Sequence, residues 1–348
     1  MKTIWIDILH IPQFNFYRPL IKELDERGYK VLVTVLERGR LPKITKAELA
    51  DCGNTEIFVI GKHRMNRLSV LLEANVLRLC RLFFWAIGRG IDYAFSNGTH
   101  VPIIGLMLHF PTHTFEDDPQ SRDHKLKGLF CRPNSLLIFR KPEGLRLHKN
   151  EDVLPVMKEW AYLCPAQFTP NPNVLNQYGV KPKEYFFLRE VSVGTFNYAG
   201  QQRGAIRDIQ DLIPANYKVL FSLEEKHRRS EYPEDWILLQ EPLSDVHSLI
   251  FFSAGLISSG DSMAREAALL GVPAYYLGTR FDMPANKVAS EVGNLQTQKT
   301  CSVEDWLSNM QSDADTLIDR QKEMRMTINE KFIDINEYRL GLVEQVKE

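Results

Sequence analysis

The chain reads as an α/β protein built from two doubly wound domains, and three observations lead there. Short apolar runs alternate with helical patterns from end to end, the arrangement that builds a parallel sheet with helices on both faces. The 348 residues are 44% hydrophobic, enough to bury a large core divided between two domains. A polar run with two prolines, Phe168-Thr169-Pro170-Asn171-Pro172-Asn173, marks the best boundary. The expected division is 1–168 and 169–330, with a last helix over 331–348.

In the first half, strands are expected at 3–8, 30–36, 56–60, 93–95 and 112–115, each an apolar or β-branched run between turn residues. Helices are expected at 15–27, which Gly28 stops, and at 45–52, 67–87 and 101–108. Residues 136–139 and 162–163 are further short apolar runs. In the second half, strands at 184–188, 218–222, 237–239, 249–257 and 274–277 alternate with helices at 203–212, within 244–250, and at 262–270 and 284–292. Residues 302–310 and the charged run 313–346 complete the helices.

Ser258-Ser259-Gly260-Asp261-Ser262-Met263-Ala264-Arg265-Glu266 is the most informative stretch. A strand meets a small polar turn that opens an Ala/Leu-rich helix; Gly271 stops the helix and Pro273 leads into the next strand. Small residues before a helix expose unpaired N–H groups at its positive end, which suits a phosphate or pyrophosphate. Glu266, one turn inside, is placed to reach a ribose diol. The same pattern serves any βαβ unit, with Asp261 or Ser262 simply as N-cap. A carboxylate at Asp261 also repels an anion unless it points away.

This segment resembles the C-terminal signature of sugar-nucleotide proteins with the glycosyltransferase-B fold. The likeness is greatest to a poorly characterised bacterial and archaeal family related to UDP-N-acetylglucosamine 2-epimerases and the peptidoglycan N-acetylglucosaminyl transferase. Gly260-Asp261-Ser262-Met263, Arg265-Glu266-Ala267-Ala268 and Leu269-Leu270-Gly271-Val272-Pro273 stand where that family has Gly-Gly or Gly-Asp with Thr-Met, Glu-Ala-Ala and Leu-Gly-Thr-Pro. The opening matches as well, through Ile4-Trp5-Ile6-Asp7, Pro12, Phe16-Tyr17, Pro19-Leu20-Ile21, Glu23-Leu24 and Gly28-Tyr29-Lys30-Val31. The resemblance thins between residues 116 and 245. It implies two Rossmann-like domains facing across a cleft, with a nucleotide diphosphate sugar as donor and no separate cofactor. Gly260, Asp261, Ser262, Met263 and Glu266 would line the donor site, and Arg189, after the first strand of the second domain, would clamp the diphosphate or form a surface ion pair.

Acceptor chemistry is expected in the first domain. Glycosyl transfer needs a base for the acceptor hydroxyl and groups that stabilise the departing diphosphate. Seven of the nine histidines precede residue 150. His10 is the candidate base in the loop after the first strand, with Pro12 and Gln13 beside it; the family has histidines at the positions of Gln13 and Asn15. Further candidates are His63 in Gly61-Lys62-His63, the loop Asn97-Gly98-Thr99, and the carboxylates Asp117 and Asp118, which match a family acidic pair. No spacing amounts to a metal site.

Net charge is −1, which excludes a general nucleic-acid binder. Residues 1–170 hold 24 Lys/Arg against 18 Asp/Glu, a surplus of +6. Five scattered cysteines without a Cys-x-x-Cys pair indicate neither a disulfide framework nor zinc. A cytoplasmic setting without leader or membrane span is expected. The helix at 67–87 sets Arg64, Arg67, Arg78, Arg81 and Arg89 on one side and Leu68, Leu71, Leu72, Val76, Leu79, Phe83 and Phe84 on its apolar surface. Such a helix docks on the inner face of a membrane carrying a sugar or lipid-linked acceptor, or packs on its own sheet. Three functions follow: a glycosyltransferase of surface polysaccharide or glycoconjugate synthesis, a non-hydrolysing UDP-sugar 2-epimerase, or a sugar-nucleotide binder without catalysis.

Overall fold

The computed structural model describes the chain except residues 64–72, 119–133, 142, 148–150, 194–199, 241–242, 244, 311–313 and 346–348. It forms two compact units, Met1–Tyr162 with Phe332–Glu348, and Leu163–Lys331.

The first unit is a seven-stranded sheet of β1 (Thr3–Ile8), β2 (Lys30–Glu37), β3 (Thr55–Lys62), β4 (Tyr93–Ser96), β5 (Thr112–Glu116), β6 (Ser135–Leu137) and β7 (Asp152–Leu154). The order is β3-β2-β1-β4-β5-β6-β7, and every pair is parallel. Its helices are α1 (Ile11–Glu26), α2 (Leu41–Glu48), α3 (Arg78–Ala86), α4 (His100–Leu108) and α5 (Trp160–Leu163), whose last residue begins the second unit. β1 is buried along its whole length, as a central parallel strand covered on both faces must be. Trp5 pairs in register with Leu32 and Ala94 and meets Leu82, Ala86, Val101 and Ile104 of α3 and α4.

The second unit repeats the plan with β8 (Tyr185–Glu190), β9 (Lys218–Leu223), β10 (Ile237–Leu238), β11 (Gly255–Ser258), β12 (Ala274–Tyr276) and β13 (Leu295–Thr297). All are parallel, in the order β10-β9-β8-β11-β12-β13. Its helices are α6 (Val246–Phe251), α7 (Asp261–Leu269), α8 (Pro284–Val292), α9 (Val303–Asn309) and α10 (Ala314–Lys331). Phe186, Phe221, Tyr232, Trp236 and Trp306 fill one side of this sheet. The last helix, α11 (Ile335–Glu344), belongs to the first unit, where Arg339 is fully buried over the Phe16 ring and donates to the Phe16 carbonyl at 2.7 Å.

Several elements differ from the sequence expectation. The apolar run 249–257 is not one strand, because Asp245 caps α6 by accepting the Ser248 N–H at 3.0 Å and draws Leu249 and Ile250 into a helix. Only Gly255–Ser258 remains extended. Helices α1 and α2 begin four residues early, each with a proline in its first turn, where a fixed φ favours helix. The expected helix at 67–87 is, where described, a π-turn at Glu73–Leu77 followed by α3; residues 64–72 lie outside the described chain. Residues 207–212 form a 3-10 helix rather than a longer α-helix. The run 313–346 breaks near Ile333, because Asp334 caps α11 through the N–H groups of Asn336 and Glu337.

Candidate functional site

In each sheet the connections reverse direction beside the first strand, between β1 and β4 and between β8 and β11. Loops leaving the carboxyl ends of such neighbours splay apart, and ligands of doubly wound sheets bind there. The turn Ser259-Gly260 leaves β11 at this point and enters α7.

This turn is held by its own side chains. Ser258 Oγ accepts the Gly260 N–H at 2.9 Å and donates to the Gly260 carbonyl at 2.7 Å. Ser259 is anchored across the switch point: its Oγ accepts the Val191 N–H at 2.9 Å and lies 3.1 Å from Glu190 Oε1, and its N–H donates to the Arg189 carbonyl. The Gln201 amide donates to the Ser259 carbonyl at 2.7 Å. Burial pushes the Glu190 carboxyl up, against the opposing pull of the Ile206 N–H and the Ser259 hydroxyl. The N-cap of α7, Gly260, is extended and has no side chain to cap the first turn. Ser262 and Met263 at the tip are half-exposed. A helix end of this kind offers N–H groups and a partial positive charge to an anion.

Asp261 points away from the tip's open side. Its Oδ2 lies 3.2 Å from Arg265 Nη1 and 3.1 Å from Arg280 Nη1, and the side chain is 2% exposed. Arg265, one turn on, is equally buried and donates to Asn286 Oδ1 at 2.9 Å; Asn286 in turn donates to the Arg280 carbonyl at 2.6 Å. The Arg280 N–H donates to Tyr276 Oη at 3.2 Å. Gly278 permits that fold-back, since a Cβ there would lie 2.2 Å from the Tyr276 oxygen. Burial and the Asp261 charge push the Tyr276 hydroxyl up to about 12. The Asp261 carboxylate thus lies between two guanidiniums, and the Arg280 side chain is 30% exposed.

Positions 262 and 266 share the neighbouring face of α7. Glu266 Oε1 lies 3.4 Å from His247 Nε2 on α6, and His247 packs edge-on against Phe168. The Arg189 guanidinium bonds Ser222 on β9 and Glu224 just beyond it, on the side of β8 opposite β11. The structure therefore gathers Gly260, Asp261, Ser262, Met263 and Glu266 and adds Arg280, Arg265 and His247, while Arg189 engages the other side. Arg280 and His247 carry no local signal; only the packing of the loop after β12 and of α6 against α7 brings them in.

In the first unit, His10 is the extended N-cap of α1, Pro12 lies in its first turn, and the Gln13 side chain accepts the Leu9 N–H at 2.8 Å, closing the β1–α1 turn. Asn97 Nδ2 donates to the Phe115 carbonyl at 3.1 Å, the Gly98 N–H to Ser96 Oγ at 2.7 Å, and Thr99 is the N-cap of α4. These two loops flank the β1/β4 switch point. Exposed His63 follows β3, two strands away, and its N–H donates to the Glu37 carbonyl. Asp117 and Asp118 follow β5; Asp117 forms an ion pair with Lys158, and both backbone N–H groups donate to Glu116 Oε1. Arg78, expected on a solvent-facing basic stripe, is instead 1% exposed and clamps Asp7 with bonds of 2.9 and 2.6 Å. Thr34 also donates to Asp7, at 2.6 Å. Burial raises the Asp7 carboxyl, but Arg78 and Thr34 outweigh it and hold the group below its usual range. Among the described residues, no cluster of His, Cys, Asp and Glu could hold a metal ion, and no helix is long and apolar enough to cross a membrane.

No protein-family profile matches the chain. An uncharacterised protein of Methanocaldococcus jannaschii is 22% identical over 293 residues, covering 78% of this chain and 80% of that protein. The structure resembles the glycosyltransferase of kitacinnamycin at a TM-score of 0.66 and 12% identity, over 100% of this chain and 99% of that one. A putative UDP-N-acetylglucosamine 2-epimerase of Listeria monocytogenes gives 0.66 at 13% identity, over 98% and 95% of the two chains. S. aureus MnaA in complex with UDP gives 0.63 at 14%, over 100% and 99%. The chain has the glycosyltransferase-B fold. Within that fold, the α/β architecture read from the sequence holds for both units. Identities this low show shared architecture, so the chemistry has to be argued from the residues of this chain.

Proposed function

We propose that this protein is a nucleotide-sugar-dependent glycosyltransferase that holds a nucleoside diphosphate sugar at the N-terminus of α7. One observation carries the reading: an uncapped helix tip at the β8/β11 switch point, with the Arg280 guanidinium on one face and the Glu266 carboxylate on the next. The diphosphate accepts from the first-turn N–H groups and from Arg280, and Glu266, steadied by His247, receives the ribose hydroxyls. The same cationic tip stabilises the diphosphate as it leaves the sugar. The acceptor, a sugar or a lipid-linked glycan of surface polysaccharide synthesis, is deprotonated by His10, with the Asn97-Gly98-Thr99 loop positioning it. No cofactor beyond the donor is invoked.

Two solved structures of the same fold support a nucleotide ligand, one described as a glycosyltransferase and one bound to UDP. The 2-epimerase reading, which the Listeria likeness keeps in view, needs carboxylates for elimination and re-addition. Asp117, one of the two candidates, is tied to Lys158, and the transferase reading is preferred for that reason. Gln13 and Asn15 in place of histidines keep a third reading, binding without catalysis.

Incubation with a panel of UDP-sugars separates the three. A transferase leaves the sugars unchanged until an acceptor is added and then releases UDP. Interconversion of epimers without acceptor would establish the rival, and tight binding without turnover on any acceptor would establish the inactive binder.

A further inference from the structure

We infer that Glu190 is a positioning residue of the donor site, setting the tip of α7 through Ser259; the inference rests on the function proposed above. Glu190 ends β8, the strand beside β11, and is 3% exposed. Leu223 stands opposite it on β9. Arg228, the cation whose charge reaches it, is itself ion-paired with Glu225 and Glu231. A carboxyl in such a place costs stability that an apolar side chain of similar size would not. Its presence therefore points to a role outside packing.

Its two oxygens take donors from separate parts of the chain. Oε2 accepts the Ile206 N–H at 2.7 Å and lies 3.5 Å from Tyr232 Oη, while Oε1 lies 3.1 Å from Ser259 Oγ. Ser259, fully buried, is the residue before the N-cap of α7, and each of its polar atoms is engaged. Its N–H donates to the Arg189 carbonyl at 3.0 Å, its Oγ accepts the Val191 N–H at 2.9 Å, and its carbonyl accepts the Gln201 amide at 2.7 Å. Val191, Gln201 and Ile206 all belong to the segment after β8, so Glu190 and Ser259 together tie that segment to the turn entering α7. Gln201 is 8% exposed, and its Oε1 is buried without a hydrogen-bond partner. A buried amide with one end unmatched is a cost to folding, and the bond it gives Ser259 is what it supplies in return.

A helix end binds an anion through the directions of its first N–H groups, and those directions follow from the peptide just before the cap. With Ser259 held at every polar atom, the N–H groups beyond Gly260 are aimed before a diphosphate arrives, and binding needs no reorganisation of the turn. Glu190 acts through Ser259 rather than on the ligand, so its shape and hydrogen bonding matter and its charge does not. Glutamine at 190 would accept the Ile206 N–H with its oxygen and donate to Ser259 Oγ, whose own proton turns to the Arg189 carbonyl 3.5 Å away. Leucine there would leave the Ile206 N–H without its acceptor and Ser259 Oγ without its carboxyl partner.

Titration of the full chain with the diphosphates of uridine, thymidine, guanosine and adenosine, and with the nucleoside of the tightest binder, tests it. Glu190→Leu and Ser259→Ala should each weaken that diphosphate about tenfold and leave its nucleoside within about twofold. The double variant should lose no more than either single one, because both changes release the same turn. Glu190→Gln should keep the wild-type affinity within about twofold. Should Glu190→Leu fail to fold, as its melting curve would show, Ser259→Ala with Gln201→Ala gives the same comparison. Losses that multiply in the double variant, or that fall equally on diphosphate and nucleoside, would overturn the inference in favour of a general structural role. Unchanged affinity in both single variants, or a Glu190→Gln variant as weak as Glu190→Leu, would overturn it too. A wild type that binds none of the four diphosphates removes the proposed donor site and this inference with it; a wild type that binds, matched by all its variants, removes this inference alone.

Discussion

Asp261 puts a negative charge at a helix tip assigned to an anion, and Arg265 and Arg280 resolve that conflict. The carboxylate serves as an anchor for two cations, one buried and one at the surface. The sequence showed the difficulty but not its resolution, because Arg280 arrives from the loop after β12 and its bond to Asp261 is non-local. Glu266 was legible from its offset within the helix, whereas its partner His247 was not. Arg78 is the opposite case: helical spacing placed it among solvent-facing arginines, and a contact 71 residues away in sequence buries it on Asp7. Removing one member of a buried pair strands the other in an apolar setting, at a cost of about 3–5 kcal/mol. Arg78→Met should lower unfolding stability by that amount in a denaturant titration, and Asp7→Val added to it should restore most of the loss. A single variant as stable as the wild type would show that the pair contributes nothing.

Among the elements, the strand cores of both sheets were legible because each is a continuous apolar run between turn residues. β7 and β13 were missed, being three residues long with polar members. Residues 249–257 were misread because apolarity alone does not separate a buried strand from a buried helix, and a cap at Asp245 decides. The end of α7 was read correctly. Gly271 adopts φ +73°, and the N–H groups of Gly271 and Val272 close on the carbonyls of Ala268 and Ala267. A Cβ at 271 would lie 2.6 Å from the Gln321 carbonyl. Gly271→Ala should therefore destabilise the protein by about 1–3 kcal/mol in thermal or chemical unfolding. Ligand affinity should remain, since the change lies at the far end of the helix from the tip. Undiminished stability would mean the turn relaxes without strain.

For the molecule as a whole, both units start from the same strand order, and that repetition places an equivalent reversal point in each. Stability against acid is set partly in the core of the first unit. His113 Nε2 lies 2.8 Å from Ser135 Oγ, and burial lowers the imidazole to about 4. Its folded value lies below the ordinary value near 6.5, so the unfolded chain takes up the proton first as pH falls. The contribution is complete above about pH 6.5 and is lost towards pH 4, amounting to about 3 kcal/mol across that window. His113→Gln should flatten the fall of melting temperature over this range, whatever its effect at neutral pH; an unchanged slope would remove His113 as the cause.

The claim on which the functional reading rests is that the tip of α7 receives a diphosphate. Calorimetric titration of nucleoside diphosphates, and of the matching nucleosides, into the wild type, Glu266→Ala and Arg280→Gln reads this directly. At least one diphosphate should bind the wild type, with its nucleoside about tenfold weaker or worse. Each variant should lose about tenfold in affinity for the diphosphate while keeping its melting temperature. Absence of binding by every nucleoside diphosphate, or affinity untouched by both substitutions, would contradict the account.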